Sequence, residues 1–292
     1  MPDWNQVAEK ISLNSGELFT PKQITPAGGG CINSASSLSD GRTRYFVKFN
    51  SANLLTMFEA EMEGLNELAG SNTICVPKPI CCGISEGEAY LVLEQLELAG
   101  SGDSNRAGTA LAALHRTRAN HFGWHRDNTI GSTPQSNRQH GDWINFWREE
   151  RLGFQLNLAE QRGEKGALID RGRRLLELFP ALIDHNPQPS LLHGDLWAGN
   201  LSYQRNGEPV IYDPAVYYGD READIAMTEL FGGFGQAFYN AYNSAWPLDG
   251  GYRTRKTLYN LYHILNHLNL FGGGYGAQAL RMTDQLLAEL GH

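Results

Sequence analysis

Three side chains near residue 200 have the types and the spacing for phosphoryl transfer. Asp195 lies in the turn His193-Gly194-Asp195-Leu196-Trp197-Ala198-Gly199-Asn200, five residues ahead of Asn200, and Asp213 closes the apolar run Pro209-Val210-Ile211-Tyr212. A carboxylate placed like Asp195 accepts the proton of an attacking hydroxyl. An amide such as Asn200 and a second carboxylate such as Asp213 can hold magnesium on the phosphates of ATP. Taken singly, each residue also suits a polar surface turn. The joint spacing, with Leu191-Leu192 ahead of the turn and a second apolar run ahead of Asp213, sets them apart. A carboxylate is a weak base for an alcohol at neutral pH, but in a loose transition state it suffices as an orienting acceptor. The rate must then come from positioning and charge neutralisation.

Such a site needs a nucleotide-holding unit upstream, and the first hundred residues have its pattern. Trp4 to Leu13 places Trp4, Val7, Ala8 and Ile11 at helical spacing. A glycine-rich turn follows, Gly28-Gly29-Gly30-Cys31-Ile32-Asn33, then the hairpin signal Asp40-Gly41 and the strand Arg44 to Asn50. Leu54 to Ala69 reads as a helix with Leu54, Phe58, Met62, Leu65 and Leu68 on one stripe. Val76 to Ile80 and Ala89 to Leu93 read as further strands. Glycines Gly28, Gly29 and Gly30, with Asn33 at the turn's exit, suit close backbone approach to phosphates because glycine has no Cβ. In that arrangement Lys48 reaches the α/β-phosphates and a helix glutamate holds it. Glu59, Glu61 and Glu63 are the candidates, and helical phase beside Phe58, Met62 and Leu65 selects Glu61. Leu93, Glu94, Gln95 and Leu96 stand where a hinge would read adenine through backbone groups. Residues 1–96 are therefore expected to be a small β-rich lobe, and 97–292 a mainly helical lobe carrying the catalytic turn and the acceptor site, in an α+β class.

Composition is compatible with this and excludes other classes. The chain has 292 residues, 41% hydrophobic and 19% charged, as expected of a soluble globular protein large enough for two lobes. A net charge of −8 argues against a nucleic-acid partner, which would call for clustered Lys and Arg. No apolar stretch has the length of a membrane span, and Met1-Pro-Asp-Trp-Asn lacks the basic start of a signal peptide. Cys31, Cys75, Cys81 and Cys82 form no CxxC pair, so a reduced, cytoplasmic setting is expected.

The segments GGGCIN, YFVKFN, MFEAEMEGL, PQSN followed by WINFWREERL, LLHGDLWAGN, IYDPAVYYGDREADIAM and LYHILNHLNLFGG together resemble the fructosamine-3-kinase (ketosamine-3-kinase) family. This family belongs to the aminoglycoside-phosphotransferase-like branch of protein-kinase-like folds, and the likeness spans nearly the whole chain. It implies a two-lobe fold and ATP-dependent phosphorylation of the 3-hydroxyl of ketosamines. The phosphorylated adduct decomposes and frees the amine, which amounts to deglycation. By this resemblance Asp195 takes the part of the catalytic base, Asn200 and Asp213 that of magnesium ligands, Lys48 and Glu61 that of the phosphate-holding pair, and Leu93 to Leu96 that of the hinge. Asp213 is followed by Pro214-Ala215 instead of Phe-Gly, and no protein-kinase activation loop is present, so switching by such a loop is not expected. Two other classes share the core pattern: an aminoglycoside- or choline-type phosphotransferase, and a non-catalytic nucleotide-binding protein. LWAGN and YYGDRE argue against the first. The joint presence of Lys48, Glu61, Asp195, Asn200 and Asp213 argues against the second.

Trp197, two residues past Asp195, offers a flat wall for a sugar, or else a core aromatic tying the turn to a helix. His193 reads as a brace of the turn. His263 and His267 have helical metal-ligand spacing without a third ligand, and the helix bearing His267 is expected to line the acceptor pocket. Trp143, Phe146 and Trp147 read as a buried helix face, and Asp220, Arg221, Glu222 and Asp224 as a salt-bridged support for the Asp213 loop. Cys31, after three glycines, is expected to be an oxidisable thiol. Its oxidation, to a mixed disulfide or to one joining two otherwise monomeric chains, would reversibly block ATP binding; the alternative is a small apolar residue packed under the loop and inert to oxidants.

Overall fold

A computed structural model describes residues 1–28 and 32–292. Gly29, Gly30 and Cys31, and with them the expectations placed on the glycine turn's centre and on the thiol, lie outside the described residues. The chain divides into two compact units, Met1–Asp103 with Ser202–Pro214, and Ser104–Leu201 with Ala215–His292. The first is built on a sheet and the second on helices, so the class is α+β as the pattern predicts.

In the first unit, α1 (Trp4–Ser15) starts at Asp3, whose side chain accepts the Asn5 amide, and stops at Gly16 in the left-handed region. Strands β1 (Gln23–Ala27), β2 (Ser34–Ser39), β3 (Arg44–Ser51), β4 (Pro79–Ser85) and β5 (Glu88–Glu94) form an antiparallel sheet in the order β1-β2-β3-β5-β4. The β2–β3 hairpin turns at Asp40, which accepts the amides of Arg42 and Thr43 at 2.7 Å each, and at Gly41 with φ +95°. Helix α2 (Leu55–Gly70) buries Met57, Phe58, Leu65 and Leu68. A 3₁₀ turn, Ala52–Leu54, precedes it, so the helix begins one residue later than the spacing predicts. The strand expected from Val76 is displaced: the ladder begins only at Pro79. Pro77 and Pro79 have no N–H to give to it, and Lys78 bonds to the Glu94 carboxylate instead.

Side-chain alternation along β3 fixes the two faces of this sheet. Tyr45, Val47 and Phe49 join Val7, Ile11, Phe19, Leu38 and Val92 in one apolar cluster under α1. Lys48, of opposite parity, belongs to the other face. Residues 202–214, folded on the two-stranded ladder of Leu201–Tyr203 with Pro209–Ile211, join the unit through the Ile211 amide to Cys75 O at 3.0 Å and through the Ala99 amide to Tyr203 O at 2.7 Å.

The second unit contains α3 (Ser104–Leu114), α4 (Trp143–Phe146), α5 (Gly153–Gln161), α6 (Ala167–Leu178), α7 (Glu222–Leu230), α8 (Gln236–Ala245), α9 (Tyr252–Phe271) and α10 (Tyr275–Glu289). Helix α9 is its axis, with Leu258, Tyr259, Leu261, Tyr262, Ile264 and Leu265 all buried. Trp143, Phe146 and Trp147 are buried as their spacing predicts, although Trp147–Leu152 continues α4 as a π-helix. Arg151 on that segment is fully buried. Its guanidinium lies 4.0 Å from the Tyr217 ring centre and donates to Ser136 O and Asn137 Oδ1. Strand Ser190–Leu192 pairs antiparallel with Tyr217–Gly219, Leu192 facing Tyr217. Among the described residues no helix is long and apolar enough to cross a membrane.

Candidate active site

Within the first unit the residues expected to hold nucleotide converge on Lys48. Its ammonium pairs with both Glu61 and Asp213. Lys48 sits on β3 between Ala35 of β2 and Leu91 of β5, and helix α2 delivers Glu61 from its buried side. Burial alone would depress the Lys48 pKa, but the two carboxylates outweigh it and hold the lysine charged. Glu61 is pushed upward, because burial exceeds the attraction of Lys48. The Lys48 side chain is 8% exposed and Glu61 11%, whereas Asp213 is 40% exposed. The pair is thus a buried anchor with one open carboxylate beside it. Asp213 has φ +58°, a left-handed turn uncommon for a residue other than glycine, directly before Pro214.

The rest of the expected nucleotide set lies along the same sheet. Gly28 follows β1 with open space where a Cβ would stand. Asn33 accepts from Asn50 Nδ2, which also donates to Ile32 O, so the exit of the glycine turn is pinned to β3. Leu93 lies opposite Phe46, one residue before the end of β5. The Glu94 amide bonds Lys78 O, and the Gln95 amide bonds Arg44 O. Leu96 is the first of the four residues expected to read adenine that lies past those two sheet bonds.

In the second unit the turn that carries Asp195 is held by a residue whose part was not legible as such. The buried Asp224 carboxylate accepts the amides of His193 at 2.7 Å and Gly194 at 2.8 Å, and His115 Nε2 stands 3.2 Å away. These bonds hold the Asp224 pKa low against the opposing effect of burial. Behind Asp224, His115 Nδ1 meets Tyr242 Oη at 2.8 Å, and Arg221 donates to the same phenol. Gly194 has φ +83°, and a Cβ there would collide with the Ala215 carbonyl, so the turn requires glycine. The Asp195 amide donates to His193 Nδ1 at 3.2 Å, which makes the buried imidazole an acceptor that braces the turn. Asn200 Nδ2 donates to the Asp195 carbonyl at 2.8 Å, which closes the five-residue spacing seen in the sequence.

The charged cluster expected to support the Asp213 loop acts elsewhere. Asp220 accepts from Tyr259 Oη and His185 Nε2, and Glu222 takes two bonds from Arg255, so both acids secure the start of α7 to α9. Asp224, one helical turn on, secures the 193–194 turn. The only signal for this in the sequence was an acid at buried phase in DREADIAM. His115 carried none.

Trp197 is 39% exposed and lies against Gly199, where any Cβ would meet its indole. Phe231 is its ring neighbour at 6.3 Å, and His267 lies 5.0 Å beyond Phe231. His263 and His267 do not converge as ligands. His267 Nδ1 is bonded to His263 O at 2.8 Å, and neither histidine belongs to a three-ligand cluster among the described residues. Two clusters of metal-binding type do occur, His140-Glu149-Glu150 and His185-Asp220-Glu222. Arg138 and Arg255 already neutralise them.

A family model described as fructosamine kinase matches residues 3–289. A Synechocystis protein that carries the name of a ketoamine kinase is 51% identical, over 97% of this chain and 97% of its own. The chloroplastic protein-ribulosamine 3-kinase of Arabidopsis thaliana is 43% identical over 95% of this chain and 86% of its own. A crystal structure named for fructosamine-3-kinase, from Haemophilus somnus 129PT, superposes with a TM-score of 0.89 at 30% identity, covering 97% of each chain. The choline kinase of Streptococcus pneumoniae, at 17% identity, has a TM-score of 0.65 over 98% of this chain and 99% of its own, a likeness of fold.

Proposed function

As the chain belongs to the fructosamine kinase family, we propose that it is an ATP-dependent ketosamine 3-kinase with Asp195 as its base. The observation that carries the site assignment is the Asp195 turn, locked from behind by Asp224 and closed in front by Asn200. A carboxylate on so fixed a backbone can orient a hydroxyl, which is where most of the rate in a loose transition state originates. The 3-oxygen of the ketosamine bonds to the γ-phosphorus, and the bond from that phosphorus to the bridging oxygen of ADP breaks. The hydroxyl proton passes to Asp195. Lys48, kept charged and immobile by Glu61, neutralises the α/β-phosphates. Glu94 and Gln95 have their amides engaged by the sheet, so adenine recognition falls to Leu96 and to the hinge carbonyls, with Leu93 as the apolar wall. Gly28, Gly29, Gly30 and Asn33 cover the phosphates.

Magnesium fits the donor set. The Asn200 amide nitrogen is engaged by Asp195, which leaves its oxygen as the ligand atom, and Asp213 offers an open carboxylate. Hard oxygen donors suit that ion. Bound there, it would neutralise charge building on the transferred phosphoryl group.

The Arabidopsis relative's name supports a ketosamine carried on a protein amine. We read the chain as cytoplasmic, in keeping with Cys75 and Cys81 as thiols outside any disulfide. It is read as a monomer that pairs through Cys31 on oxidation, and a non-reducing gel of the wild type against Cys31→Ala decides that point. The reaction is tested by following ADP formation with a fructosamine and a ribulosamine side by side, with loss of the adduct and release of free amine as the second readout. Turnover of choline or an aminoglycoside with neither ketosamine used would overturn the reading.

A further inference from the structure

A row of rings leads away from the catalytic turn inside the second unit. Trp197 meets Phe231 at 6.3 Å, Phe231 meets His267 at 5.0 Å, and His267 meets Tyr275 at 5.1 Å and Phe271 at 5.6 Å. Four elements contribute: the turn itself, the end of α7, the last turns of α9 and the start of α10. Both ends of the row are large apolar side chains left open to solvent, Trp197 at 39% and Phe271 at 57%. A contiguous row of aromatics, open at both ends, half-buried between them and beginning two residues from the proposed base, is the kind of surface that awaits an apolar occupant.

The electrical character of the row is equally specific. The His263 carbonyl can only accept, so the bonded His267 Nδ1 carries the ring proton and Nε2 is the acceptor. Burial lowers the His267 pKa, which keeps the ring neutral near pH 7. Neutral rings, with their negative faces, tolerate or attract an ammonium group. The nitrogen of a ketosamine is a protonated secondary amine at that pH. A sugar occupies one or two ring faces, and this row has more than a sugar can cover.

Resting on the ketosamine kinase reading, we propose that the rings beyond Trp197, namely Phe231, His267, Tyr275 and Phe271, form a subsite for the amine side of the substrate. It takes the alkyl or aryl stem attached to the ketosamine nitrogen. The chain therefore selects adducts of long-chain amines, of which a lysine side chain is one, over adducts of short ones.

The test uses the purified full chain and two ketosamines that differ only in the amine, one made from methylamine and one from hexylamine. Each methylene removed from water contributes a factor of about four, and partial cover of the stem makes about tenfold a fair expectation for the ratio of kcat/KM values. The gain should appear in KM. Phe271→Ala, at an exposed position where folding is not at issue, should bring the ratio of long to short substrate down toward one, as should Tyr275→Ala. Phe271→Tyr should keep it. Equal kcat/KM for both adducts in the wild type, or an undiminished ratio in Phe271→Ala and Tyr275→Ala, overturns the subsite while leaving the kinase reading intact. Absence of ADP formation with either adduct overturns the kinase reading itself, and the subsite with it.

Discussion

Asp224→Asn isolates the clamp on the turn that carries Asp195, because it preserves volume and alters only charge and one acceptor. In the native chain both carboxylate oxygens are in use: Oδ2 for the His193 amide and His115, Oδ1 for the Gly194 amide. A carboxamide can accept with one end only. Its NH₂ must then face either the Gly194 amide, or the His193 amide together with the His115 edge, donor against donor. Hydrogen bonds to a charged partner contribute about 1.5–3 kcal/mol each, and a buried N–H left without an acceptor costs about 1–3 kcal/mol. Losing the charge from two bonds and stranding one donor should destabilise the fold by roughly 3 kcal/mol. That would be a large share of a typical domain's stability. The kinetic consequence should be larger still, since displacement of a reacting group by about 1 Å costs around a hundredfold. Urea unfolding gives the first quantity. For the second, kcat and the ATP KM are measured at a temperature where the variant is fully folded. The expected pattern is a lower unfolding midpoint and a reduced kcat with a nearly unchanged KM for ATP. His115→Gln, which leaves both backbone amides on the carboxylate and perturbs only the 3.2 Å contact to Asp224 and the bond to Tyr242 Oη behind it, should show a weaker form of both effects. An Asp224→Asn protein with the native midpoint and an unchanged kcat would refute the clamp.

Asp195→Asn should leave ATP binding nearly unchanged while lowering turnover by about a hundredfold or more, the scale for a positioned acid–base group; rapid ketosamine phosphorylation by this variant would move the base elsewhere. Asp213→Ala should raise the magnesium concentration needed at fixed ATP, or abolish activity, because the phosphates lose their bridging carboxylate and Lys48 loses one of its two partners. An unperturbed magnesium titration would assign the ligand role to another residue. His263 is buried, and its pKa is driven down to about 3 from 6.5, mainly by burial. Between those values the unfolded chain binds a proton that the folded chain excludes, so this site makes stability fall as pH drops below 6.5. At 1.36 kcal/mol per unit the loss at pH 5 is about 2 kcal/mol. Urea midpoints from pH 7 to pH 5 should show it for the wild type, and a His263→Phe chain, with no proton to bind there, should show a flatter profile or else the attribution fails.

Much of this protein is visible along the chain because local rules determine it. The hairpin at Asp40-Gly41, the alternation that puts Lys48 on the face opposite Val47, and the stripe of α2 all depend on residues close in sequence, where pleat and helical pitch leave few choices. The phase argument that selected Glu61 over Glu59 works for the same reason, and the coordinates pair Glu61 with Lys48. The five-residue step from Asp195 to Asn200 is likewise a local bond. The late start of β4 shows the limit of pattern alone, since Val76 to Ile80 has the apolar ends of a strand but two prolines remove the donors a ladder needs. Only the tertiary structure decided the rest. It takes Lys48 to Asp213 across 165 positions, and Asp224 to the His193 amide across 31. It also lines Phe231, His267 and Tyr275 up from three helical segments. Such contacts leave no periodic trace in the sequence, because a buried carboxylate takes its partners from whichever backbone amides the packing brings to it, and those must be satisfied once water is gone.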